Sequence, residues 1–220
     1  MVKNTETAAL VAEYLLQIKA IKLNNSKPFM WASGLHSPIY CDNRIALSYP
    51  KVRNYIRQQL VTQITEEYGL VDVIAGVATA GIPQGILVAQ EMGLPFIYVR
   101  SSKKEHGLTN QIEGELREGQ NVVVVEDLIS TGKSSLNAVE AIREAGGKVK
   151  GMAAIFTYEL PIADKNFKDA DCALFALSSY EIMIKKAAEK DYISGEDKES
   201  LLEWKKDPQT WSDKHKTLQT

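Results

Sequence analysis

Four consecutive valines, residues 122–125, constrain the fold of this chain more than any other feature. Side chains of this branched type favour strands, and an uninterrupted apolar run is typical of a strand buried on both faces of a parallel sheet. Glu126 and Asp127 follow where this strand is expected to end, and a helical pattern occupies residues 135–145. Because ligands of open α/β sheets bind beyond the carboxyl ends of strands, the sequence predicts a ligand site directly after the valines.

The segment between these acids and the predicted helix has the composition of an anion-binding turn. It consists of Leu128, Ile129, Ser130, Thr131, Gly132, Lys133 and Ser134. A helix N-terminus after a glycine-containing turn binds anions, because its first backbone N–H groups have no partner within the helix. Glu126 and Asp127 add carboxylates that accept hydrogen bonds from hydroxyl groups. An acid pair beside a phosphate cradle predicts a site for a phosphorylated ribose.

Two other interpretations of this segment stay open on the residues alone. Gly132, Lys133 and Ser134 match the end of a nucleotide-binding P-loop, but Asp127 occupies the position of that motif's first glycine. A carboxylate there would face the phosphates that a P-loop surrounds, which disfavours this interpretation. The other is an ordinary strand–turn–helix connection with a polar turn and no ligand.

Composition places the chain among ordinary globular proteins. Of its 220 residues, 45% are hydrophobic and 25% are charged, which suits one domain with a full core. The formal net charge of −2 argues against a general nucleic-acid-binding protein. Glu6 and Glu13 interrupt the apolar residues at the N-terminus, so no signal peptide is predicted, and no segment has the length of a membrane span. Cys41 and Cys172 are interpreted as buried free thiols, and a cytoplasmic location is expected.

The order of apolar patterns predicts alternating strands and helices with short links, and hence an α/β fold with a doubly wound parallel sheet. Helices are predicted at residues 5–21, from Pro50, from Gly81 and at 135–145, followed by helical cover through Trp204. Strands are predicted at residues 72–77, 95–99, 122–125, 149–156 and 172–176. Residues 29–47 are expected to be irregular or stranded. Residues 100–119 lack apolar periodicity and predict a long loop, which in compact domains accompanies function or disorder.

Three stretches together resemble one enzyme family. Residues 122–134, VVVVEDLISTGKS, resemble the signature with which type I phosphoribosyltransferases bind phosphoribosyl pyrophosphate (PRPP). Residues 29–34, FMWASG, and 37–44, SPIYCDNR, are similar to the base-binding region of the orotate phosphoribosyltransferases, and residues 100–107, RSSKKEHG, resemble their catalytic loop. The stretches occur in the order of that family, and the similarity extends over about residues 15–204.

The resemblance implies a single phosphoribosyltransferase domain with a small N-terminal base-binding hood. About residues 1–48 would form the N-terminal helix and hood, about 49–177 the α/β core, and about 178–220 the helical cover and tail. The implied reaction transfers the 5-phosphoribosyl group from PRPP to orotate and gives orotidine 5′-monophosphate and pyrophosphate, a step of pyrimidine biosynthesis. A PRPP-sensing regulator of the same fold and a transferase for a purine base are the alternatives.

PRPP is expected to bind along the signature and two loops. Glu126 and Asp127 would hold the ribose hydroxyls, and residues 130–134 the 5′-phosphate. By resemblance, the turn Thr79, Ala80, Gly81 forms a pyrophosphate loop, for which a tight turn without ligand is the alternative. The full set of expected PRPP contacts is Arg100, Lys103, Lys104, His106, Glu126, Asp127, Leu128, Ile129, Ser130, Thr131, Gly132, Lys133 and Ser134.

The resemblance also assigns catalytic roles and partners. Lys104 and His106 would meet the leaving pyrophosphate, and Asp127 would stabilise positive charge on the ribose. Composition alone would also allow the charged residues of this loop to be a solvated face. Mg²⁺ is expected as cofactor, held mainly by PRPP and with no protein ligand assigned. A homodimer whose loop is shared between subunits is implied, with Arg100 at the base of that loop.

The sequence specifies the base-binding residues less closely than the PRPP-binding residues. Ser130 is expected to contact orotate, but Ala32 and residues 157–158 stand where other members of the family carry cations. The orotate carboxylate needs a cationic or N–H partner, and Arg44 is the candidate, with a surface ion pair as its alternative. Phe29 and Tyr40 would be its apolar neighbours. Trp31 and Trp211 are expected to be packing residues rather than stacking platforms, and His36 and His215 to lie on the surface or against structure rather than to act in catalysis.

Overall fold

A computed structural model describes residues 1–31, 33–101 and 111–216. Helices α1–α8 comprise Thr5–Gln17, Pro50–Tyr68, Gly81–Met92, Lys133–Glu144, Pro161–Asp169, Tyr180–Glu189, Gly195–Lys206 and Pro208–Lys216. Strands β1–β10 comprise Ile21–Leu23, Phe29–Met30, His36–Ser37, Ile39–Cys41, Val73–Val77, Phe96–Val99, Ile112–Glu113, Asn121–Ile129, Lys148–Thr157 and Leu174–Ser179. A 3₁₀-helix, Asn43–Ser48, leads from β4 towards α2.

The central sheet has the strand order β10-β9-β8-β5-β6-β7 in the described part of the chain. Five neighbouring strands run parallel, and the short β7 pairs antiparallel with β6 at one edge. The chain moves outward from β5 to β6, and then outward in the other direction from β8 through β9 to β10. The topological switch point therefore lies between β5 and β8, where α/β sheets bind their ligands. The predicted doubly wound sheet is confirmed, with an antiparallel edge strand added.

The four valines of β8 are buried on both faces of the sheet, as predicted, and each is 0% exposed. Val123 and Val125 belong to a core cluster that includes side chains of α1, α2, α3 and α6. Val122 and Val124 belong to a second cluster, with side chains of α4 and α5. This alternation follows from the two-residue period of a strand.

The N-terminal segment departs from the predicted helix of residues 5–21. Helix α1 ends at Gln17, Lys19 has a positive φ of 57°, and Ile21 begins β1. The backbone at Lys19 cannot continue a right-handed helix, which explains the earlier end. Strand β1 pairs antiparallel with β4, and β2 pairs antiparallel with β3. Helix α1 instead packs against β10 and α6.

Several predicted boundaries need correction. The acid pair lies within β8, which continues to Ile129, rather than after its end. The strand predicted at residues 172–176 is observed at Leu174–Ser179, because the Cys172 N–H donates to the Phe167 carbonyl and belongs to the end of α5. The predicted loop 100–119 contains β7, a pair of residues too short to produce an apolar period.

Helices α6–α8 occupy the C-terminal region, where helical structure is predicted. Helix α8 packs against β3, where Ser212 Oγ accepts a 2.9 Å hydrogen bond from the His36 backbone N–H. Trp204 on α7 is completely buried. Within the described residues, every helix falls short of the length and apolar character that crossing a membrane requires.

Candidate active site

Three segments meet at the carboxyl edge of the sheet. Strands β8, β5 and β6 are neighbours and run parallel, so the acid pair, the turn of residues 78–81 and Arg100 come to the same edge. The turn packs directly on β8 at Gly81. A Cβ atom at Gly81 would lie 2.5 Å from the Val125 carbonyl oxygen and 3.3 Å from Glu126 Cα. Only glycine allows this close approach, which brings the turn against the acid pair.

Glu126 is the inner member of the acid pair and is 6% exposed. Its Oε1 accepts a 3.0 Å hydrogen bond from the Asp127 N–H, and its Oε2 accepts a 2.9 Å hydrogen bond from Ser135 Oγ. Burial, followed by the neighbouring charge of Asp127, raises the pKa of Glu126 well above its ordinary range. Both oxygens of Glu126 thus have partners inside the protein.

Asp127 is the outer member and is half-buried. Strand β5 pairs with β8 only as far as Val125, so Asp127 extends past the end of its neighbour. Burial raises the pKa of Asp127, and this is opposed by a hydrogen bond with the Glu126 side chain and by the charge of Arg44. Because the two carboxyls are close, the pair titrates as a unit. Asp127 is the carboxylate better placed to meet a ligand.

The predicted phosphate loop forms the turn between β8 and α4. Gly132 has φ +76°, and a Cβ atom there would lie 2.5 Å from Phe167 Cε2, so both conformation and space require glycine. Asn166 Nδ2 donates a 2.9 Å hydrogen bond to the Thr131 carbonyl and fixes the turn from α5. Among the described residues, no side chain caps the N-terminus of α4. Its first N–H groups are available to an anion, as the sequence predicts.

The predicted pyrophosphate loop has similar features. Thr79 is exposed, and Ala80 precedes α3 without a side-chain cap from any described residue. The Ala78 N–H donates a 2.9 Å hydrogen bond to the Val99 carbonyl, and the Ala78–Thr79 peptide bond is cis. This turn and the phosphate loop flank the acid pair on two sides.

Arg100 follows β6 at the same edge. Its backbone N–H donates to the Gln111 carbonyl at 2.9 Å, and its carbonyl accepts from Gln111 Nε2 at 3.2 Å. Its guanidinium lies 3.6 Å from Glu113 Oε1. These contacts place Arg100 where the chain leaves the sheet. The other predicted loop residues, Lys103, Lys104 and His106, lie outside the described residues.

A cavity of about 350 Å³ opens beside the acid pair. It is lined by Met30, Trp31, Tyr40, Cys41, Leu128, Ser130 and Tyr158. The rings of Trp31 and Tyr158 lie 5.1 Å apart, and Trp204 packs behind both, at 5.6 Å and 5.7 Å. Ser130 belongs both to this cavity and to the phosphate loop. The cavity has the aromatic and apolar character of a site for a flat heterocycle.

Arg44 is not among the residues that line this cavity. Its Nε and Nη2 donate to the Asp42 carboxylate at 2.7 Å and 3.0 Å, and its side chain is 60% exposed. The surface ion pair expected as the alternative is therefore present. Of the predicted apolar neighbours, Tyr40 lines the cavity and Phe29 packs on Tyr40 at 5.8 Å. Ala32 lies outside the described residues.

Some residues of this region were not assigned a role from the sequence. Ser135, Asn166, Asn43 and Tyr158 contact the acid pair, the phosphate loop or the cavity. Asn43 lies in the stretch of residues 37–44 that resembles the base-binding region, but no role was assigned to it, and Ser135 is the third residue of α4 and so faces the strand end. His36 is half-buried in β3, and His215 stacks on the buried Trp211 at 3.6 Å, in line with packing roles. Cys172 is buried, and the Cys41 thiol is free but only half-buried as a residue.

The residues of the site fit a magnesium ion that arrives with its substrate. The described residues contain no cluster of three or more His, Cys, Asp or Glu side chains that could hold a metal by itself. Mg²⁺ commonly binds substrate phosphates and water with only one or two protein carboxylates. An acid pair beside two anion-binding turns suits that mode of binding.

Comparisons with known proteins agree with this geometry. A family model described as the phosphoribosyl transferase domain matches residues 54–177. The orotate phosphoribosyltransferase of Bacteroides fragilis is 56% identical over 209 residues, which cover 95% of this chain and 98% of that protein. The crystal structure of orotate phosphoribosyltransferase from Aeropyrum pernix has a TM-score of 0.73 at 24% identity, covering 84% of this chain and 99% of that chain.

A second solved structure is also similar to this chain. It is the Mycobacterium tuberculosis orotate phosphoribosyltransferase in complex with PRPP, with a TM-score of 0.63 at 23% identity, covering 80% of this chain and 98% of that chain. At these identities the two solved structures show a shared fold. The family model spans more than half of the chain, and the Bacteroides relative matches nearly all of it. The chain therefore belongs to the orotate phosphoribosyltransferases, a family built on the phosphoribosyl transferase domain.

Proposed function

We propose that this chain transfers the 5-phosphoribosyl group from PRPP to orotate, giving orotidine 5′-monophosphate and pyrophosphate in pyrimidine biosynthesis. The observation that carries the proposal is the meeting of three sites at one sheet edge. The acid pair, the uncapped N-terminus of α4 and the aromatic cavity are adjacent, and Ser130 belongs to the last two. Family membership supports the same reaction.

PRPP would lie across the acid pair, between the two anion-binding turns. The backbone N–H groups and hydroxyls of residues 130–134 bind the 5′-phosphate at the start of α4. Asp127 accepts hydrogen bonds from ribose hydroxyls, and Glu126 supports it from the buried side. Thr79, Ala80 and Gly81 bind the pyrophosphate through backbone N–H groups. This order follows the order of the groups along the PRPP molecule.

The reaction forms a bond from N1 of orotate to C1 of the ribose and breaks the bond from C1 to the pyrophosphate oxygen. Positive charge develops on the ribose ring as this bond breaks, and the Asp127 carboxylate stabilises it. The electron pair of the broken bond leaves with pyrophosphate, and the proton on N1 of orotate is released to water or to the departing pyrophosphate. No covalent nucleophile is required, so the protein contributes by orienting the two reactants and by neutralising charge.

Magnesium is part of the proposal, carried into the site by PRPP. Bound to the phosphate oxygens, the ion would offset the negative charge that accumulates on the leaving pyrophosphate. The protein's own contribution on that side comes from the pyrophosphate loop, Arg100 and, we propose, Lys103, Lys104 and His106. Lys104 and His106 would meet the departing pyrophosphate.

Orotate would occupy the cavity between Trp31, Tyr158 and Ser130. Its carboxylate requires a partner, because a desolvated charge without one is costly. Arg44 stays our proposal for that partner. Its side chain is 60% exposed, and its charge already acts on Asp127. Binding would require the guanidinium to turn partly from Asp42 towards the ligand.

We further propose a homodimer in which the loop of residues 100–107 serves the neighbouring subunit's site. The domain would divide as expected, with about residues 1–48 as N-terminal helix and hood, 49–177 as core and 178–220 as helical cover. Two free thiols are compatible with a reducing compartment, and we propose the cytoplasm.

A base panel tests the proposed function. Purified protein is given PRPP and Mg²⁺ with orotate, uracil, adenine or hypoxanthine, and products are separated by chromatography. We expect turnover with orotate and at most a small fraction of that rate with the other bases. Turnover with a purine instead would identify a purine transferase. Binding of PRPP without turnover of any base would identify a PRPP-sensing regulator.

A further inference from the structure

We propose that Asn43 is a positioning residue that fixes the orotate-binding wall of the cavity to the strand that binds the ribose of PRPP. The inference rests on the proposed function and deepens it, because it names the contact that keeps the two reactants in register. Asn43 touches neither expected substrate and acts through the backbone of Asp127.

Asn43 is buried at the junction of two distant segments. It is the first residue of the 3₁₀-helix and is 2% exposed. Its Nδ2 donates a 2.7 Å hydrogen bond to the backbone carbonyl of Asp127, 84 residues further along the chain. Strand β5 stops pairing with β8 at Val125, so the backbone of Asp127 lies beyond the end of β5. Asn43 supplies a donor to this carbonyl from outside the sheet.

The other end of the Asn43 amide contacts a residue of the cavity wall. Its Oδ1 accepts a 3.3 Å hydrogen bond from the Cys41 thiol, and Cys41 lines the cavity. The cavity has one wall from Met30, Trp31, Tyr40 and Cys41, and another from Leu128 and Ser130 of the signature segment. Asn43 therefore joins the two walls by a buried polar contact. A buried amide with partners on both sides holds one arrangement, because breaking either contact leaves a polar group unpaired.

The proposed chemistry makes this register important. The ribose would be held by the β8 segment, whereas the base would lie against residues of the N-terminal segment. N1 of the base must approach C1 of the ribose along the line of the departing pyrophosphate. Small errors in such an approach reduce rates strongly even when both reactants stay bound. A contact between the two segments thus affects turnover more than the binding of either reactant.

Steady-state kinetics of Asn43→Ala test this role. We expect kcat per folded site to fall about tenfold or more, with a smaller change in KM for PRPP and for orotate. The matched control is Asn121→Ala, at the other end of the same strand, where Nδ2 donates to Asp72 at 3.0 Å. The control should lose stability without losing kcat. If Asn43→Ala lowers the melting temperature but leaves kcat per folded site unchanged, the role of Asn43 is structural and the proposal is wrong.

A second variant gives a readout that a structural role would not change. Asn43→Asp keeps the shape, but an ionised carboxyl cannot donate to the Asp127 carbonyl, whereas a protonated one can. The charged or titratable groups that interact around this position are Glu126, Asp127, Cys41, Asp42, Arg44, Tyr40 and Tyr158. Dividing the variant's kcat by the wild-type kcat at each pH removes their shared effects. We expect this ratio to rise several-fold as the pH is lowered, and a constant ratio would contradict the proposal.

Alkylation of Cys41 tests the contact without relying on catalysis. N-ethylmaleimide labelling is followed by peptide mass spectrometry, with the buried Cys172 as internal reference. We expect Asn43→Ala to raise the Cys41 labelling rate several-fold relative to wild type and Asn121→Ala to leave it unchanged. Equal Cys41 labelling rates in all three proteins would contradict the proposed contact through Asn43 between the two walls of the cavity. Absence of orotate turnover in wild type would instead refute the proposed function, so the two failures are distinguishable.

Discussion

Glu126 and Asp127 are adjacent in sequence, yet their surroundings give them different tasks. Glu126 is enclosed and hydrogen-bonded to Ser135, whereas Asp127 extends past the end of β5. Burial raises the pKa of both carboxyls. A raised pKa means that the folded state holds the proton more tightly than the unfolded state does. The site therefore lowers the stability of the folded protein at neutral pH, as is common for functional sites.

Glu126→Gln tests this loss of stability at neutral pH. The free energy of unfolding of wild type includes a contribution from Glu126 that falls as the pH rises above its ordinary pKa of 4.5. The variant lacks this contribution, so its melting temperature should exceed that of wild type by a margin that grows between about pH 4.5 and 7.5. About 1 kcal/mol corresponds to roughly 2–4 °C in a domain of this size.

Glu115→Gln is the control for this measurement. The pKa of Glu115 is lowered by its hydrogen bond with Arg117, so its contribution to stability has the opposite sign and is lost at acid pH. The melting temperature of Glu115→Gln should not rise further above that of wild type as the pH increases. If the difference in melting temperature between Glu126→Gln and wild type stays constant from about pH 4.5 to 7.5, the account of the acid pair is contradicted.

Arg44 offers a sharp test at the base-binding side. If its guanidinium meets the orotate carboxylate, Arg44→Ala should raise KM for orotate about tenfold or more and leave KM for PRPP nearly unchanged. It should also narrow the preference for orotate over uracil, which lacks the carboxylate. Arg117→Ala is a matched control, because Arg117 pairs with Glu115 at 2.9 Å, two residues away, as Arg44 pairs with Asp42. If Arg44→Ala still prefers orotate over uracil as strongly as wild type does, backbone N–H groups or another side chain bind the carboxylate and the assignment of Arg44 is wrong.

Among the elements, α7 has the clearest link to the cavity. Trp204 contacts Trp31 and Tyr158, which line the cavity, and Tyr180 on α6. Its Nε1 has no hydrogen-bond partner among the described residues. The ring therefore contributes by packing and shape rather than by a polar contact. The helical cover of the C-terminal region supports the walls of the cavity from behind.

Trp204→Ala should destabilise the protein by about 3–5 kcal/mol and raise KM for orotate more than KM for PRPP. Trp211→Ala is the control, because Trp211 is also buried but packs on His215 and donates to Ser200 Oγ at 3.1 Å. Both variants should lose stability in urea unfolding, and only Trp204→Ala should weaken orotate binding. Equal effects of the two on orotate would indicate a general loss of structure.

The elements also show how far sequence reasoning extends. The buried central strand, the acid pair and Gly132 could be predicted, because each follows from residues next to one another in the chain. The roles of Asn43 and Tyr158 could not, because their contacts join segments far apart in sequence. The early end of α1 depends on one residue, Lys19, with an unusual backbone conformation. Arg44 was chosen from the sequence as the partner of the orotate carboxylate because of its charge. The same short segment contains Asp42, to which Arg44 is hydrogen-bonded in the structure.

For the whole molecule, the central feature is the edge where β8, β5 and β6 end together. Alternating strands and helices predicted this edge, since parallel strands bring their carboxyl ends to one side. The resemblance to a family implied a base-binding hood within about residues 1–48. What pattern alone could not give were the contacts of the N-terminal segment with β8 through Asn43 and with α7 through Trp31.

The proposed homodimer has a test of its own. If residues of the loop serve the neighbouring subunit, mixing Lys104→Ala chains with Asp127→Asn chains should restore activity, because a hybrid dimer contains one site with both native residues. Up to about one quarter of the wild-type activity is expected at full random exchange, from the statistics of pairing. Subunit exchange is verified with differently tagged chains. Exchange without recovered activity would count against a shared loop.

The most direct test of the account compares wild type with Asp127→Asn, using Asp72→Asn as control. Asp72 accepts hydrogen bonds from Asn121 at the opposite end of β8. With PRPP, Mg²⁺ and orotate, wild type should form orotidine 5′-monophosphate and pyrophosphate in equal amounts. Asp127→Asn should lose roughly tenfold to a hundredfold in kcat/KM for PRPP, as expected when a charge-assisted contact worth about 1.5–3 kcal/mol is removed. Asp72→Asn should keep wild-type activity. The account would be contradicted if wild type formed no product, or if Asp127→Asn turned over at a rate near that of wild type.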